Sequence, residues 1–162
     1  MSAILSDDGR FRFALTRRVN ELGTGQLCWI MFNPSTADDT EDDPTIRRVA
    51  DFTRRWGFRS LIVVNLLPIR ATDPAEARRW AQETPVTDLQ MWAANRLYVE
   101  AAGRTSKQVV AAWGVLGGPH TRDAIDRHGD QELWALGFNE NGQPKHPLYV
   151  AKTTKLQRWE DA

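Results

Sequence analysis

The sequence predicts an α/β fold of three layers, with helices on both faces of a mostly parallel four-stranded central sheet and one further antiparallel strand at the N-terminus. Three observations predict it. Four short apolar runs, "LCWIMF", "SLIVVNLLP", "QVVAAWG" and "ELWALG", have the length and composition of strands buried on both faces. Segments of helical character lie between them. Such alternation calls for right-handed crossovers, which place helices over both faces of a parallel sheet. With 162 residues, 41% of them hydrophobic, one compact core is affordable, and a single domain over residues 1–162 is expected.

Each element has its own signal. "RFRFALTRRV", residues 10–19, alternates bulky apolar and basic residues at the period of a half-exposed strand. "NELGTGQ" holds two glycines and reads as a hairpin turn into "LCWIMF". In "DDPTIRRVADFTRRWGF", Ile46, Val49, Ala50, Thr53 and Trp56 recur at helical spacing, with Asp43 as N-cap, Pro44 as first helical residue and Gly57 just past the end. "SLIVVNLLP" is a buried strand stopped by Pro68. A second helix is expected from about Thr87, where Thr87 and Gln90 have capping-box spacing. Leu89, Trp92, Ala93 and Leu97 would form its buried stripe and Gly103 its end. "QVVAAWG" is the third strand, "PHTRDAIDRHG" a short helix and "ELWALG" the fourth strand. The remainder reads as a turn-rich loop, a short extended piece and a last helical turn.

Composition removes several function classes. No apolar run approaches the roughly 18 to 20 residues that cross a bilayer, and the N-terminus lacks a basic-then-apolar leader pattern, so a cytoplasmic location and no membrane partner are expected. The single cysteine, Cys28, rules out internal disulfides and four-cysteine metal or cluster sites, and it reads as core. Lys plus Arg equals Asp plus Glu at 21 each, so no overall positive field draws the chain to phosphate backbones. No glycine-rich loop with its lysine is present for a nucleoside triphosphate, and no cofactor is expected.

In parallel sheets ligands bind beyond the carboxyl ends of the strands, and the unusual polar clusters "NPSTADD", "NLLPIRAT", "WGVLGGPH" and "GFNENGQPKHPLY" all fall there. Asn33 ends the first core strand, where it either caps its own loop or holds a water or ligand beside the rigid turn at Pro34. Ser35 and Thr36 offer hydroxyls and amides. Asn65 interrupts "VVNLL", where an amide needs a partner: a neighbouring backbone, or the donor and acceptor edge of a ligand. Arg70 lies just beyond and is either exposed or a phosphate or carboxylate contact. Trp113, beside two glycines, is either core or a face for stacking on a base. His146 sits in "PKHPLY", extended by Pro147, and is either solvated or catalytic. His120 reads as a helix start and His128 as surface. Seven tryptophans are many for this length, and Trp29, Trp56 and Trp134 suit the core. The acids of "ADDTEDDP" suit either a helix N-terminus or a divalent cation, while Arg47, Arg48, Arg54 and Arg55 read as a solvated helix face.

Taken together, "RFRFALTRRV", "IMFNPSTADD", "DDPTIRRV", "WGF", "VVNLLPIRATDP", "AWG", "LG", "GQPKHPLY" and "LQRW" closely resemble the bacterial and phage family known as domain of unknown function sixteen forty-three, over nearly the whole chain. That family brings no activity with it. The motif order also resembles, more distantly, the uracil-DNA glycosylase superfamily, in Asn33-Pro34 after the first core strand, Asn65 at the end of the second, "AWG" at the third and His146-Pro147 late in the chain. This resemblance implies a glycosylase-like fold. It further implies that Asn33 positions an attacking water, Asn65 hydrogen-bonds the base, and His146 stabilises charge on the departing base. Ser35-Thr36 replaces the aromatic residue often found after the first motif, and only His-Pro of the late motif is kept.

The functional expectation is therefore a crevice that binds a nucleobase-containing small molecule or nucleic acid and hydrolyses its N-glycosidic bond. Catalysis would fall to Asn33 and His146, and ligand binding to Pro34, Ser35, Thr36, Asn65, Arg70 and Trp113. Two other classes stay open: a binding module for nucleotides or nucleic-acid ends, without chemistry, and a metal-dependent hydrolase built on Asp38, Asp39 and Asp42. The sequence does not address oligomeric state.

Overall fold

The computed structural model describes residues 1–118, 120, 121, 126 and 132–159. Seven strands, β1 (Ser2–Leu5), β2 (Arg12–Arg18), β3 (Gln26–Met31), β4 (Ser60–Asn65), β5 (Gln108–Ala111), β6 (Leu133–Ala135) and β7 (Gln157–Arg158), form one sheet in the order β1-β2-β4-β3-β5-β6-β7. The four expected core strands β3, β4, β5 and β6 are mutually parallel. The sheet is nevertheless seven-stranded and mixed, not four-stranded with one addition, because β1 and β2 extend one edge in antiparallel sense and β7 the other.

Two apolar layers cover its faces. Helix α1 (Pro44–Arg55) supplies Ile46, Val49 and Phe52 to a layer with Leu27, Trp29, Leu61 and Val63. Helices α2 (Pro74–Gln82) and α3 (Leu89–Thr105) supply Ala77, Val99 and Ala102 to the other, with Cys28, Ile30, Val64 and Val109. Asp43 caps α1 by accepting from the Ile46 N–H, Pro44 opens the helix and Gly57 follows it with a φ of +80°, as its sequence requires. Burial holds the Cys28 thiol up at about 12, so it is inert core. Among the described residues no helix is long and apolar enough to cross a membrane.

Several local expectations are corrected. β2 does not form a hairpin with β3; it pairs with β4, which enters between them. The two glycines permit this, since a Cβ on Gly23 would strike the Phe58 carbonyl carbon at 2.6 Å and Gly25 takes a φ of +72°, so the loop closes on the start of β4. β2 is also not half-exposed: as an interior strand it buries residues 12–15 and 17. The stripe assigned to α3 is rotated, leaving Leu89 and Leu97 at 54% and 67% exposure while Asn95, Val99 and Ala102 face inward. The capping box is not made, because Thr87 lies in a 3₁₀ turn, and the helix runs past Gly103 to Thr105. The last segment is extended as β7 rather than helical. Helix α2 was not foreseen. The short helix expected over "PHTRDAIDRHG", with His128, lies largely outside the described residues.

The connection from β3 through α1 leads to β4 over one face. The connection from β4 through α2 and α3 returns over the other face to β5, on the opposite side of β3. The order of strands thus reverses about β3, the arrangement that opens a crevice at the carboxyl ends of such sheets.

Candidate functional site

A cavity of about 280 Å³ lies at that place, bounded by residues that follow β3, β4 and β5, by the start of α1 and by the loop after β6. Asn33, Ser35, Asn65, Trp113 and His146 line it together, so five of the eight residues singled out in the sequence meet in one hollow. Pro34, Thr36 and Arg70 do not line it. Arg70 donates instead to the carbonyls of Ser35, Gly9 and Thr36, at 3.4, 3.2 and 3.2 Å, and so clamps the 33–36 loop from behind.

Asn65 is the last residue of β4 and by strand alternation shares the face of Leu61 and Val63 toward α1. It is 1% exposed, yet neither Oδ1 nor Nδ2 has a partner. Leaving such a group unpaired costs on the order of 1–3 kcal/mol. Its backbone is satisfied: Asn95 of α3 donates through Nδ2 to the Asn65 and Leu66 carbonyls at 2.9 and 3.3 Å. Asn95 thus fixes the strand end from the far face while the Asn65 amide is kept for the cavity.

Asn33 is held differently. Its Nδ2 donates to the Pro34 carbonyl at 2.9 Å and to the Ala71 carbonyl at 2.8 Å, which joins the loops after β3 and β4. With both N–H bonds used, the group left to act as an acceptor is Oδ1. Ser35 also lines the cavity.

His146 precedes a 3₁₀ turn, and its Nδ1 accepts the Leu148 N–H at 3.3 Å. Accepting at Nδ1 leaves the proton of a neutral imidazole on Nε2. Burial lowers the His146 pKa from its ordinary value and outweighs the opposing charge of Asp43, so the neutral ring is favoured. The residue is seated against Gly114, where a Cβ would lie 3.3 Å from His146 Cβ and φ is +71°. Its loop is also tied to α1, since Arg48 donates to the Pro147 and Val150 carbonyls at 3.2 and 2.7 Å. Arg48 is thus half-buried rather than solvated, whereas Arg47, Arg54 and Arg55 are exposed as expected, Arg55 also donating to the Lys152 carbonyl.

Trp113 forms a wall at 1% exposure, its Nε1 donating to Gln143 Oε1 at 2.8 Å. Its core role is therefore primary. Asn139 anchors the same loop through the Gln143 and Pro144 carbonyls.

The cavity also holds residues that the sequence did not signal. Arg12 is 2% exposed; its Nη1 donates to the Ala37 carbonyl at 2.7 Å while Nε has no partner. Burial pulls its pKa down to about 10, so it stays charged at neutral pH. Asp43 lines the cavity as well, with one carboxylate oxygen committed to its helix cap. Tyr149 stands at the mouth, 83% exposed, its ring centroid 5.5 Å from that of His146.

Asp38 and Asp42 are engaged locally. Asp38 Oδ1 accepts from the Thr40 and Glu41 N–H groups and the Thr40 hydroxyl, bonds that hold its pKa down at about 2. Asp42 pairs with buried Arg17 at 2.7 Å. Among the described residues no three His, Cys, Asp or Glu side chains are grouped to hold a metal ion.

A family model described as "Protein of unknown function (DUF1643)" matches residues 12–148. The chain belongs to this family. The matched span of this DUF1643 member begins at Arg12 and takes in Asn33, Asn65, Trp113 and His146, so the hollow is built almost wholly from the family region. No curated protein and no solved structure matches the chain, and the likeness to uracil-DNA glycosylases rests on the motif residues alone.

Proposed function

We propose that the cavity receives a nucleobase, that Asn65 reads its paired donor and acceptor edge, and that Asn33 and His146 promote hydrolysis of its N-glycosidic bond. One observation carries the reading: a carboxamide 1% exposed, with donor and acceptor both unpartnered, lines an open-mouthed hollow at the strand ends. An amide presents one donor and one acceptor side by side, which complements a pyrimidine or purine edge. A volume of about 280 Å³ suits a monomer or one extruded nucleotide better than a length of duplex.

The chemistry follows from the held groups. As the bond between sugar carbon and base nitrogen breaks, its electron pair moves onto the base and a cationic sugar centre forms. The His146 Nε2–H, left free by the bond at Nδ1, would donate to the oxygen of the departing base, and a preorganised neutral donor stabilises that developing charge. Asn33 Oδ1, fixed by the two bonds at Nδ2, orients a water toward the sugar carbon. The water adds its oxygen there, and its proton leaves to solvent or to the released base.

The test is a mixed pool of base-modified oligonucleotides and nucleosides, scored for free base by mass spectrometry. Release by the native chain and none by Asn33→Ala or His146→Ala is expected. Binding that depends on Asn65, with no base released under any condition, would leave a recognition module in place of a hydrolase. Absence of any binding would remove the reading.

A further inference from the structure

We propose that the ligand of this hollow carries an anionic oxygen group, a carboxylate or a phosphate, received by the Arg12 guanidinium beside Asn65. The proposal rests on the nucleobase reading for the neighbouring Asn65 contact, but its anion contact stands on separate observations. Arg12 is buried to 2% exposure and lines the hollow, and its Nε has no hydrogen-bond partner. Among the described residues no carboxylate comes within 4 Å of the guanidinium, whereas buried Arg17 on the same strand has Asp42 at 2.7 Å. A buried cation in no direct ion pair is the arrangement a charged ligand completes.

The backbone shows how Arg12 comes to face inward. In the β1–β2 ladder Ile4 pairs with Ala14 and Leu5 with Arg12, so Phe13 is an extra, unpaired residue. Phe13 stacks on Tyr98 of α3, the side on which Ala14 also packs, whereas Arg12 reaches Ala37 in the α1 layer. Two successive residues on one face mark a bulge, a device that re-aims a side chain. It turns Arg12 to the face shared by Asn65, on the strand next to its own. The surrounding charges are Asp43 and Asp38, which favour the cation, and Arg17 and Arg70, which oppose it. Asp43 and Asp38 each spend an oxygen on backbone N–H groups, and Arg70 is bonded to carbonyls.

Calorimetry on the full chain compares neutral and anionic congeners: uracil with its 6-carboxylate, uridine with uridine 5′-monophosphate, and inorganic phosphate alone. At least one anionic congener is expected to bind about tenfold or more tighter than its neutral parent, and the member that gains identifies the source of the anion. Arg12→Gln is expected to erase that gain, and Arg12→Lys to recover part of it. Equal affinity of neutral and anionic congeners for the native chain, a comparison needing no variant, would overturn the proposal, as would a gain that survives Arg12→Gln. If no base congener binds, the Arg12 Nε–H resonance of ¹⁵N-arginine-labelled protein is followed during titration with inorganic phosphate. A saturable shift keeps the anion site while the nucleobase reading fails, and no shift ends both.

Discussion

An amide buried without partners is a deficit that a substitution can remove. Asn65→Leu, similar in shape and without polar atoms, is therefore expected to leave stability unchanged or raise it, by up to about 1–3 kcal/mol, while abolishing ligand binding. Chemical denaturation and calorimetry on the same protein check this. A clear loss of stability would mean that the amide has a structural partner after all. His146 supplies a second prediction at this scale. Its folded pKa lies below the ordinary 6.5, so over the interval between the two values the unfolded chain binds more protons than the folded one. Stability is then fully present above that interval and falls as pH drops through the ordinary value toward the folded one. His120, lowered by its own burial, acts in the same direction, so His146→Asn should flatten the decline without abolishing it. Urea midpoints taken between about pH 7.5 and 5.5 measure the slope. Base release, which uses the neutral ring of the folded protein, should hold through that interval and decline only as pH reaches the lowered folded value.

Helix α1 does more than cover the sheet, because its Arg48 holds the 146–150 turn. Arg48→Gln should cost about 1–2 kcal/mol in denaturation and weaken ligand binding, although Arg48 touches no part of the hollow. Unchanged affinity would show that the turn keeps its shape by other bonds. Much of this was readable beforehand. Asn33, Asn65 and Trp113 each end or interrupt an apolar run, and His146 stands before Pro147 in a turn-rich loop, so all four are visible in one dimension. Helix α2 was missed because only Ala77 of its nine residues is fully buried, so it leaves little periodicity. The signal was "TDP", which repeats the Asp-Pro start of α1 with Asp73 as the cap. Arg12 was illegible for another reason: regular alternation along "RFRFALTRRV" gives no hint of the slip at Phe13. Arg48 reads as surface because a bond to a carbonyl 99 residues away leaves no local mark.

At the scale of the molecule, the hollow is assembled from segments following three parallel strands, from the start of α1 and from the loop after β6, which are tied to one another by Asn33, Arg70, Trp113 and Arg48. A bound ligand should therefore slow amide exchange together in residues 33–37, 65–71, 113–116 and 139–149, read by mass spectrometry with and without the congener that calorimetry selects. Protection confined to one of these segments would contradict a shared hollow. The Phe13 bulge has a last implication. Deleting that residue would keep Arg12 on its present side but draw it about 3.3 Å along the strand, and straightening the kink would send the charge to the opposite side. In either case every helix and strand would survive while the chamber changed the polarity of the guest it admits. In this architecture a one-residue difference in the length of a framework strand is a route to new selectivity, with no loop and no wall residue replaced.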